Sequence, residues 1–358
     1  MLRVLIGDDQ PDVLEAARLL LKSGGHTAVT AGTPEGVLKA AKESSFDLFL
    51  LDMNYARDTT SGSEGLDLLC GLRAAGIHAP VLVMTAWGSI DLAVEAMRRG
   101  AADFVQKPWD NTRLLDSVDK YGKQAKQARN DLEIAQKIQQ NLLGREDKKI
   151  GGLEYSAGCL PAGEVGGDYY DFFDLGSDQL GVLLADVSGK GVSAAMLMAH
   201  LQAAMRSRLD LANSPADLIA SVNRIFWESS PAEQFATLFY AVFDGKSKTL
   251  RYVNAGHVSG LLARSDRSFQ ELASTGTPVG LFKQWKGSES AIHLGSGDRV
   301  LMVSDGVVEA GIDTDREICL DECVRRAGNL APAAMVARIL SEAAHSSDDR
   351  TAVVLSVS

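Results

Sequence analysis

The chain predicts two folds in tandem: an α/β doubly wound parallel sheet, then an α+β sandwich of antiparallel sheets flanked by helices, joined by one long helix. Three observations predict this. From residue 2 to about 120, short apolar runs alternate with amphipathic stretches. From about Leu114 to Leu143 there is neither proline nor a strand signal, and one glycine. After Gly152, strand-like runs follow one another without regular intervening helices.

In the first region the apolar runs are "LRVLIG", "TAVTA", "FDLFLLD", "PVLVMTA" and "ADFVQK", separated by periodic segments such as "VLEAARLLLKS" and "IDLAVEAMRRG". Strands alternating with helices of this length form βαβ units around a parallel sheet. Such sheets place their sites at the carboxyl ends of the strands. In the long helix, Val118, Tyr121, Ala125, Ala128, Leu132, Ala135 and Leu142 recur at spacings of three and four, with Gln139 as a polar interruption. That pattern fits a coiled-coil-like seam and a homodimer; the competing fit is a single helix packed on its own domains. A charged, glycine-containing boundary, "LLGREDKKIGG", ends it. The last region holds the runs "DQLGVLLADV", "FATLFYAVFD", "LRYVNAGH", "GLLARS", "DRVLMVSDG" and "TAVVLSV", with helical stretches "VSAAMLMAHLQAAMRSRL" and "PADLIASVNRIFWES".

A chain of 358 residues predicts two domains, or two plus a connector. A net charge of −11 and the lack of any basic run with interleaved aromatics argue against a nucleic-acid surface. No apolar run approaches the ~20 residues that span a bilayer, and "MLRVLIGDDQ" meets acid too early for a signal peptide, so the expectation is no membrane partner and a cytoplasmic location. Cys70, Cys159, Cys319 and Cys323 are scattered and complete no zinc site, so they are expected to be reduced structural thiols.

Asp8 and Asp9 end the first strand run, Asp52 the third, Thr85 the fourth and Lys107 the fifth. Singly, an aspartate after a strand is a turn or helix cap. Five polar residues at four strand ends of one parallel sheet instead converge at one edge. Three carboxylates there suit a hard cation such as Mg²⁺, Lys107 and the Thr85 hydroxyl suit phosphoryl oxygens, and Asp52 suits a nucleophile. With "DD", "LLDMN", "MTA" and "KP", residues 1–120 resemble the response-regulator receiver domain. The resemblance implies a flavodoxin-like sheet, phosphorylation of Asp52 by a sensor histidine kinase, and Mg²⁺ held by Asp9, Asp52 and the Asn54 carbonyl. It also implies that Asp8 acts through water and that the Lys107–Pro108 bond is cis. The stretch "NYARDTTSGSEGLDLL" departs from the pattern and predicts an enlarged loop after Asp52.

A second acidic set comprises Asp168 in "GGDYYD", Asp186 in "LLADVSGKG", Asp305 in "LMVSDGVVEA" and Asp348–Asp349 in "SSDDRTAVVL". Carboxylates without His or Cys suit hard octahedral ions such as Mg²⁺ or Mn²⁺, and two such ions can clamp a phosphoryl oxygen. "SGKGVS" is no P-loop, because Leu184 stands where the first glycine is required. Residues 150–358, through "VGGDYYDFF", "ADVSGKGVSAAMLMA", "FATLFYAVFD", "YVNAGH", "GTPVGLF", "DRVLMVSDGVVEA" and "DDRTAVVL", resemble the metal-dependent Ser/Thr protein phosphatases of the bacterial stage II sporulation protein E type. The segment "LEIAQKIQQNLL" is similar to the connector before such domains.

This resemblance implies two Mn²⁺ or Mg²⁺ ions: Asp186 bridging, Asp305 and Asp348 completing one, Asp168 and the Val187 carbonyl serving the other. Asp349 is the alternative to Asp348, and His257 is open between a substrate-side and a structural role. The expected division is a receiver over 1–120, a helical linker over 114–145 and a phosphatase over 150–358. The expected function is a response regulator controlling a phosphoserine/phosphothreonine phosphatase, its substrate by resemblance an anti-sigma-factor antagonist. The competing readings are a non-catalytic phosphoprotein-binding scaffold, which the intact aspartates disfavour, and a DNA-binding regulator, disfavoured by charge.

Overall fold

The computed structural model describes residues 1–55, 62–85, 90–145, 150–310, 320–327 and 330–358. The middle of the loop expected to be enlarged after Asp52, and Cys319, lie outside the described residues. The chain divides into two compact units, Met1–Asp131 and Leu132–Ser358.

The first unit carries strands β1 (Arg3–Gly7), β2 (Thr27–Ala31), β3 (Leu48–Asp52), β4 (Val81–Thr85) and β5 (Asp103–Gln106), in the order β2-β1-β3-β4-β5. Every pairing is parallel. Between the strands run α1 (Pro11–Ser23), α2 (Pro34–Glu43), α3 (Ser63–Ala74) and α4 (Ile90–Arg98). Helices on both faces explain why "LFLLD" and "VLVMT" read as unbroken apolar runs: every residue of β3 and β4 is buried. Leu5, Phe49, Leu51 and Val83 pack toward Leu69 and Leu72, while Val4, Ile6, Leu50 and Leu82 pack toward Leu21, Leu114 and Val118. The Lys107–Pro108 peptide is cis, as expected.

The long helix, α5, spans Asn111–Leu142. Its N-terminal part belongs to the first unit's core: Leu114 and Val118 are buried there and Tyr121 packs beside them. Two members of the seam read from the sequence are therefore spent on the parallel sheet, and Ala128 is exposed. Periodicity alone cannot separate a helix face that meets its own domain from one that meets a second helix. The most exposed large apolar residues of α5 are Ile134 (55%) and Ile138 (58%), which lie outside that seam.

The second unit is a sandwich. One sheet has the order β13-β10-β9-β8-β7 and the other β12-β11-β14-β15-β6. The first comprises β7 (Tyr169–Gly176), β8 (Gln179–Val187), β9 (Ala236–Asp244), β10 (Thr249–Ala255) and β13 (Ser290–His293). The second comprises β6 (Leu153–Leu160), β11 (Gly260–Ala263), β12 (Phe269–Leu272), β14 (Arg299–Val303) and β15 (Arg350–Val357). All pairings are antiparallel.

Alternate residues of the central strands face opposite ways, so each sheet has an inner and an outer apolar face. Between the sheets, Val182, Leu184, Phe239 and Phe243 meet Val300, Met302, Val353 and Leu355. The opposite face of β8 and β9, with Leu183, Ala185 and Leu238, is covered by α6 (Gly191–Arg208) and α7 (Pro215–Ser229). The outer face of β14 and β15 is covered by α8 (Asp305–Glu309) and α10 (Pro332–Glu342). A further short helix, α9, runs over Leu320–Ala327. Helix, sheet, sheet and helix thus form four layers. Among the described residues no helix is long and apolar enough to cross a membrane.

Candidate functional site

In the first unit, one edge of the parallel sheet gathers the expected residues. Asp8 and Asp9 follow β1, Asp52 ends β3, Thr85 ends β4 and Lys107 follows β5. Carboxylate oxygens of Asp8, Asp9 and Asp52 lie within 4.8 Å of one another. The Lys107 ammonium bridges two of them, at 2.6 Å from Asp8 and 2.9 Å from Asp52. Lys107 is set by its own backbone, whose N–H donates to the Thr85 carbonyl at 2.8 Å. Burial pushes the Asp52 carboxyl above its ordinary range, with Lys107 opposing that shift. Thr85 is buried beside this cluster's strand ends, and the buried Asn54 Oδ1 has no hydrogen-bond partner. An all-oxygen donor set with excess negative charge fits a Mg²⁺ ion.

In the second unit, antiparallel pairing brings four chain segments to one end of the sandwich. Asp168 immediately precedes β7, which starts opposite the end of β8, where Asp186 stands across from Thr237. Asp305 opens α8 just after β14, and Asp348 and Asp349 precede β15, the partner of β14. Side chains stitch the two sheets together here. Thr351 Oγ1 donates to Asp168 Oδ2 at 2.6 Å, and the Gly167 N–H donates to Asp349 Oδ2 at 2.6 Å.

Burial raises the Asp168 carboxyl well above its ordinary range, and Asp186 adds to the shift. Burial, then Asp305, Asp348 and Asp349, push Asp186 up to about 7. Asp305 is raised by burial and then by Asp348. The cluster is therefore short of positive charge. Asp168 Oδ1 is buried without a hydrogen-bond partner. An unpaired buried carboxylate oxygen amid mutually repelling carboxylates, with no softer donor in the set, fits hard divalent ions.

The five acids do not all stand alike. Asp349 is committed to main-chain amides, accepting from Ala162 N–H at 2.7 Å as well as from Gly167. Asp348 instead meets the exposed Lys190 ammonium at 2.8 Å. The carboxylates are less tightly grouped than those of the first unit: among the described residues, only Asp8, Asp9 and Asp52 bring three ligand atoms within 4.8 Å. Of the adjacent pair, Asp348 is the one without a main-chain anchoring role toward the glycine loop. His257 is buried, with Nδ1 2.7 Å from Thr237 Oγ1, and burial lowers its pKa to about 4. That placement is a packed interior one, facing the strand that pairs with Asp186.

Gly166 and Gly167 make the close approach possible. A side chain on Gly166 would collide with the Asp349 carboxylate, and a Cβ on Gly167 would lie 2.7 Å from the Val187 carbonyl. The sequence reading missed Lys190, Thr351 and Gln139 as neighbours of this site. Lys190 had a signal, a cation between glycines directly after the Asp186 strand. Thr351 had none beyond its position at the start of an apolar run.

Comparison with known proteins separates the same two halves. The family model "Stage II sporulation protein E (SpoIIE)" matches residues 176–358, just over half of the chain, and the model "Response regulator receiver domain" matches residues 4–119. The phosphoserine phosphatase RsbU of Bacillus subtilis is 31% identical over 182 residues, 51% of this chain and 54% of that protein. The response regulator protein FleR of Pseudomonas aeruginosa is 40% identical over 116 residues, 32% of this chain and 24% of that protein. The chain thus spans about half or less of the curated relatives it matches. Among solved structures, the SiaA-PP2C domain of Pseudomonas aeruginosa shares the fold of the second unit. Its TM-score is 0.57 at 17% identity, covering 65% of this chain and 98% of that one.

Proposed function

We propose, since the chain belongs to the stage II sporulation protein E (SpoIIE) family and carries a response regulator receiver domain, that phosphorylation of Asp52 governs a Mn²⁺- or Mg²⁺-dependent phosphoserine/phosphothreonine protein phosphatase. The observation that carries the catalytic half is the meeting of buried Asp168 with partly buried Asp186, Asp305 and Asp348, short of positive charge, at one end of the sandwich. The proposed division of labour has Asp186 bridging two ions, Asp305 and Asp348 completing one, and Asp168 with the Val187 carbonyl serving the other. Held by these residues, divalent ions would supply positive charge toward the phosphoryl oxygens and a lowered pKa for bound water. Thr351 holds Asp168 in orientation by donating to its Oδ2, and Asp349 holds the glycine loop that carries Asp168. His257 is assigned a structural role.

In the receiver, Asp52 is the proposed nucleophile toward a phosphoryl group from a sensor histidine kinase. Asp9, Asp52 and the Asn54 carbonyl would hold Mg²⁺, and Asp8 would act through water. Lys107, poised between Asp8 and Asp52, and the Thr85 hydroxyl would bind the phosphoryl oxygens. The receiver (1–120), the linker (114–145) and the phosphatase (150–358) are the proposed working parts. The substrate is proposed to be a phosphorylated anti-sigma-factor antagonist, and the chain to act as a homodimer through α5.

Hydrolysis of a phosphoserine protein by the purified chain, only with added Mn²⁺ or Mg²⁺, is the expected result. Metal-independent turnover would overturn the mechanism, and phosphoprotein binding without turnover would favour a scaffold. Labelling by acetyl phosphate is expected in the wild type and not in Asp52→Asn. Proline at Ala128 breaks an exposed stretch of α5, at a helix cost of about 3 kcal/mol. Full phosphorylation response in Ala128→Pro, with an unchanged molar mass by light scattering, would reduce α5 to a passive tether.

A further inference from the structure

Arg264, Arg267, Arg299 and Arg325 form no run in the sequence of this acidic chain, whose net charge is −11. The second unit nevertheless brings all four to the wall of one cavity of about 690 Å³. Strand register does most of this. Phe269, Ala263, Arg299 and Ser356 are successive partners in a row across β12, β11, β14 and β15, and all four line the cavity. Residues directly opposite in an antiparallel pair share one face of the sheet. Arg264 and Arg267 come from the turn between β11 and β12, closed by the Arg264 N–H donating to the Ser268 carbonyl at 2.9 Å. Arg325 comes from α9, whose neighbouring Val324 packs on the outer apolar layer. The cavity lies at the end of the sheet remote from the aspartates, since β14 must run from Arg299 to Val303 before Asp305 is reached, about 20 Å further on.

Four guanidinium groups repel one another, so their gathering has to be supported. Arg264 is held by the buried Asp298 at 2.8 Å and by the His293 carbonyl at 2.7 Å. Asp298 is itself fixed by the Ser265 and Gly295 N–H groups, at 2.9 and 2.8 Å. Arg299 donates to the Leu330 carbonyl at 3.1 Å. Arg325 lies over the Phe269 ring, 5.1 Å from its centroid, and meets the Asp321 carboxylate of its own helix at 3.5 Å. Three of the four cations are thus oriented before any ligand arrives. No carboxylate lines the cavity among the described residues.

A guanidinium presents a planar fork of donors that matches phosphate oxygens two at a time. One phosphoryl group engages one or two such forks, whereas four around a single cavity suit linked phosphoryl groups. The volume is that of a small-molecule site, typically about 300–1,000 Å³. Ala263, Phe269 and Val324 add an apolar wall beside the cations.

We infer that this cavity binds a small anion carrying two or more linked phosphoryl groups, gripped by Arg267, Arg299 and Arg325 with Arg264 as their fixed neighbour. The inference stands apart from the phosphatase reading, because the cavity uses none of the aspartates and no divalent ion.

The test uses the full chain in excess EDTA, so that neither acidic site holds a metal that attracts phosphate. Isothermal titration calorimetry is run with ATP, inorganic tripolyphosphate, inorganic phosphate and a phosphoserine peptide. The variants are Arg267→Gln, Arg325→Gln and the two combined, with Arg113→Gln in the first unit as the control for general charge. All three arginines are exposed, so none of these changes opens the core. ATP or tripolyphosphate is expected to bind the wild type at least about 10-fold more tightly than inorganic phosphate. Each cavity variant is expected to weaken that binding about 10- to 100-fold, the effect of one charge-assisted contact. Arg113→Gln is expected to match the wild type. The ligand should raise the unfolding midpoint of the wild type and not of the combined variant. Tighter binding of ATP than of tripolyphosphate identifies a nucleotide seated on the apolar wall, and equal binding identifies an inorganic polyphosphate.

Failure of both polyphosphates to bind would overturn the inference. So would affinity unchanged in the combined variant, or an equal loss in Arg113→Gln, the mark of diffuse charge attraction. Binding of the phosphoserine peptide in place of either polyphosphate would make the cavity a protein-docking site and overturn it as well. An active phosphatase that ignores polyphosphate condemns the cavity alone, and an inactive one that binds it condemns only the phosphatase reading.

Discussion

The two acidic sites solve the same electrostatic problem with opposite geometries. In the parallel sheet, Asp8, Asp9 and Asp52 crowd within 4.8 Å, and a lysine from a fifth strand end is set among them. In the sandwich, Asp168, Asp186, Asp305 and Asp348 come from four segments, and the lysine that meets them, Lys190, approaches from the solvent side onto Asp348. Lys107 is mostly withdrawn from solvent, whereas Lys190 is two-thirds exposed. The first site has a largely withdrawn cation of its own set between two of its three carboxylates, Asp8 and Asp52. The second leaves Asp168 and Asp186 with raised affinity for protons, and so for any cation that replaces them.

The largest expected effect breaks the second site at its centre. Asp186→Asn removes the charge that three other aspartates act on, and turnover should fall by more than about 100-fold, beyond the cost of losing an outer contact. Metal-titrated phosphatase assays check this. Retention of most activity would mean that the charge-deficient cluster is not the reacting centre, and the comparison would collapse to one site.

Next comes the pH response of the unit that holds the second site. His257 is buried neutral with its pKa lowered to about 4, below the ordinary 6.5. The unfolded chain therefore binds the proton first as pH falls. Stability from this group is complete above 6.5, is lost as pH drops toward 4, and changes no further below that. The loss should total roughly 3 kcal/mol. In the receiver, His26 is also lowered by burial, but Asp119, 3.4 Å away, opposes the shift. Urea unfolding at about pH 7 and about pH 4.5, wild type against His257→Asn, isolates the contribution. An equal acid loss in both proteins would remove His257 from the account.

The two lysines give the smaller pair of effects. Lys107→Ala strands the buried Asp8 and Asp52 carboxylates without their cation. Removing one partner of a buried pair costs about 3–5 kcal/mol, and the remaining solvent contact of Lys107 lowers that to roughly 2–3 kcal/mol here. Added Mg²⁺ should restore part of it, seen as a larger Mg²⁺-induced rise in unfolding midpoint than the wild type shows. Lys190→Ala removes an exposed ion pair and should change stability by less than about 1 kcal/mol. A cost for Lys190 matching that for Lys107 would erase the contrast between a site with a withdrawn cation and one with an exposed cation.

The sequence by itself determined the parts whose signal is local. Continuous runs such as "LFLLD" and "VLVMT" announced strands covered on both faces, and β8, β9, β10, β11, β14 and β15 all fell on runs legible as strands. The aspartates were legible because a carboxylate at the end of an apolar run violates the burial rule that the run otherwise obeys. Strands β6, β7, β12 and β13 were not read as such. "LEYSAGCL" mixes small and polar residues, and β7 contains Asp171, which is buried with Arg206 paired to it at 2.8 Å and the Tyr169 hydroxyl donating to it. The Arg206 charge comes from a distant helix and leaves no mark in the strand's own sequence.

Only the tertiary structure decided which neighbours each group meets. It took Val118 and Tyr121 out of a supposed intermolecular seam and into the core of the parallel sheet, since an apolar stripe carries no label for its partner. It committed Asp349 to the glycine loop and Asp348 to Lys190, a distinction invisible in two adjacent identical residues. It turned Gln139 from an interruption into a two-point contact with Gly166. Periodicity and residue type fix which groups must be satisfied; the partner that satisfies them is set by long-range packing, which no local pattern encodes.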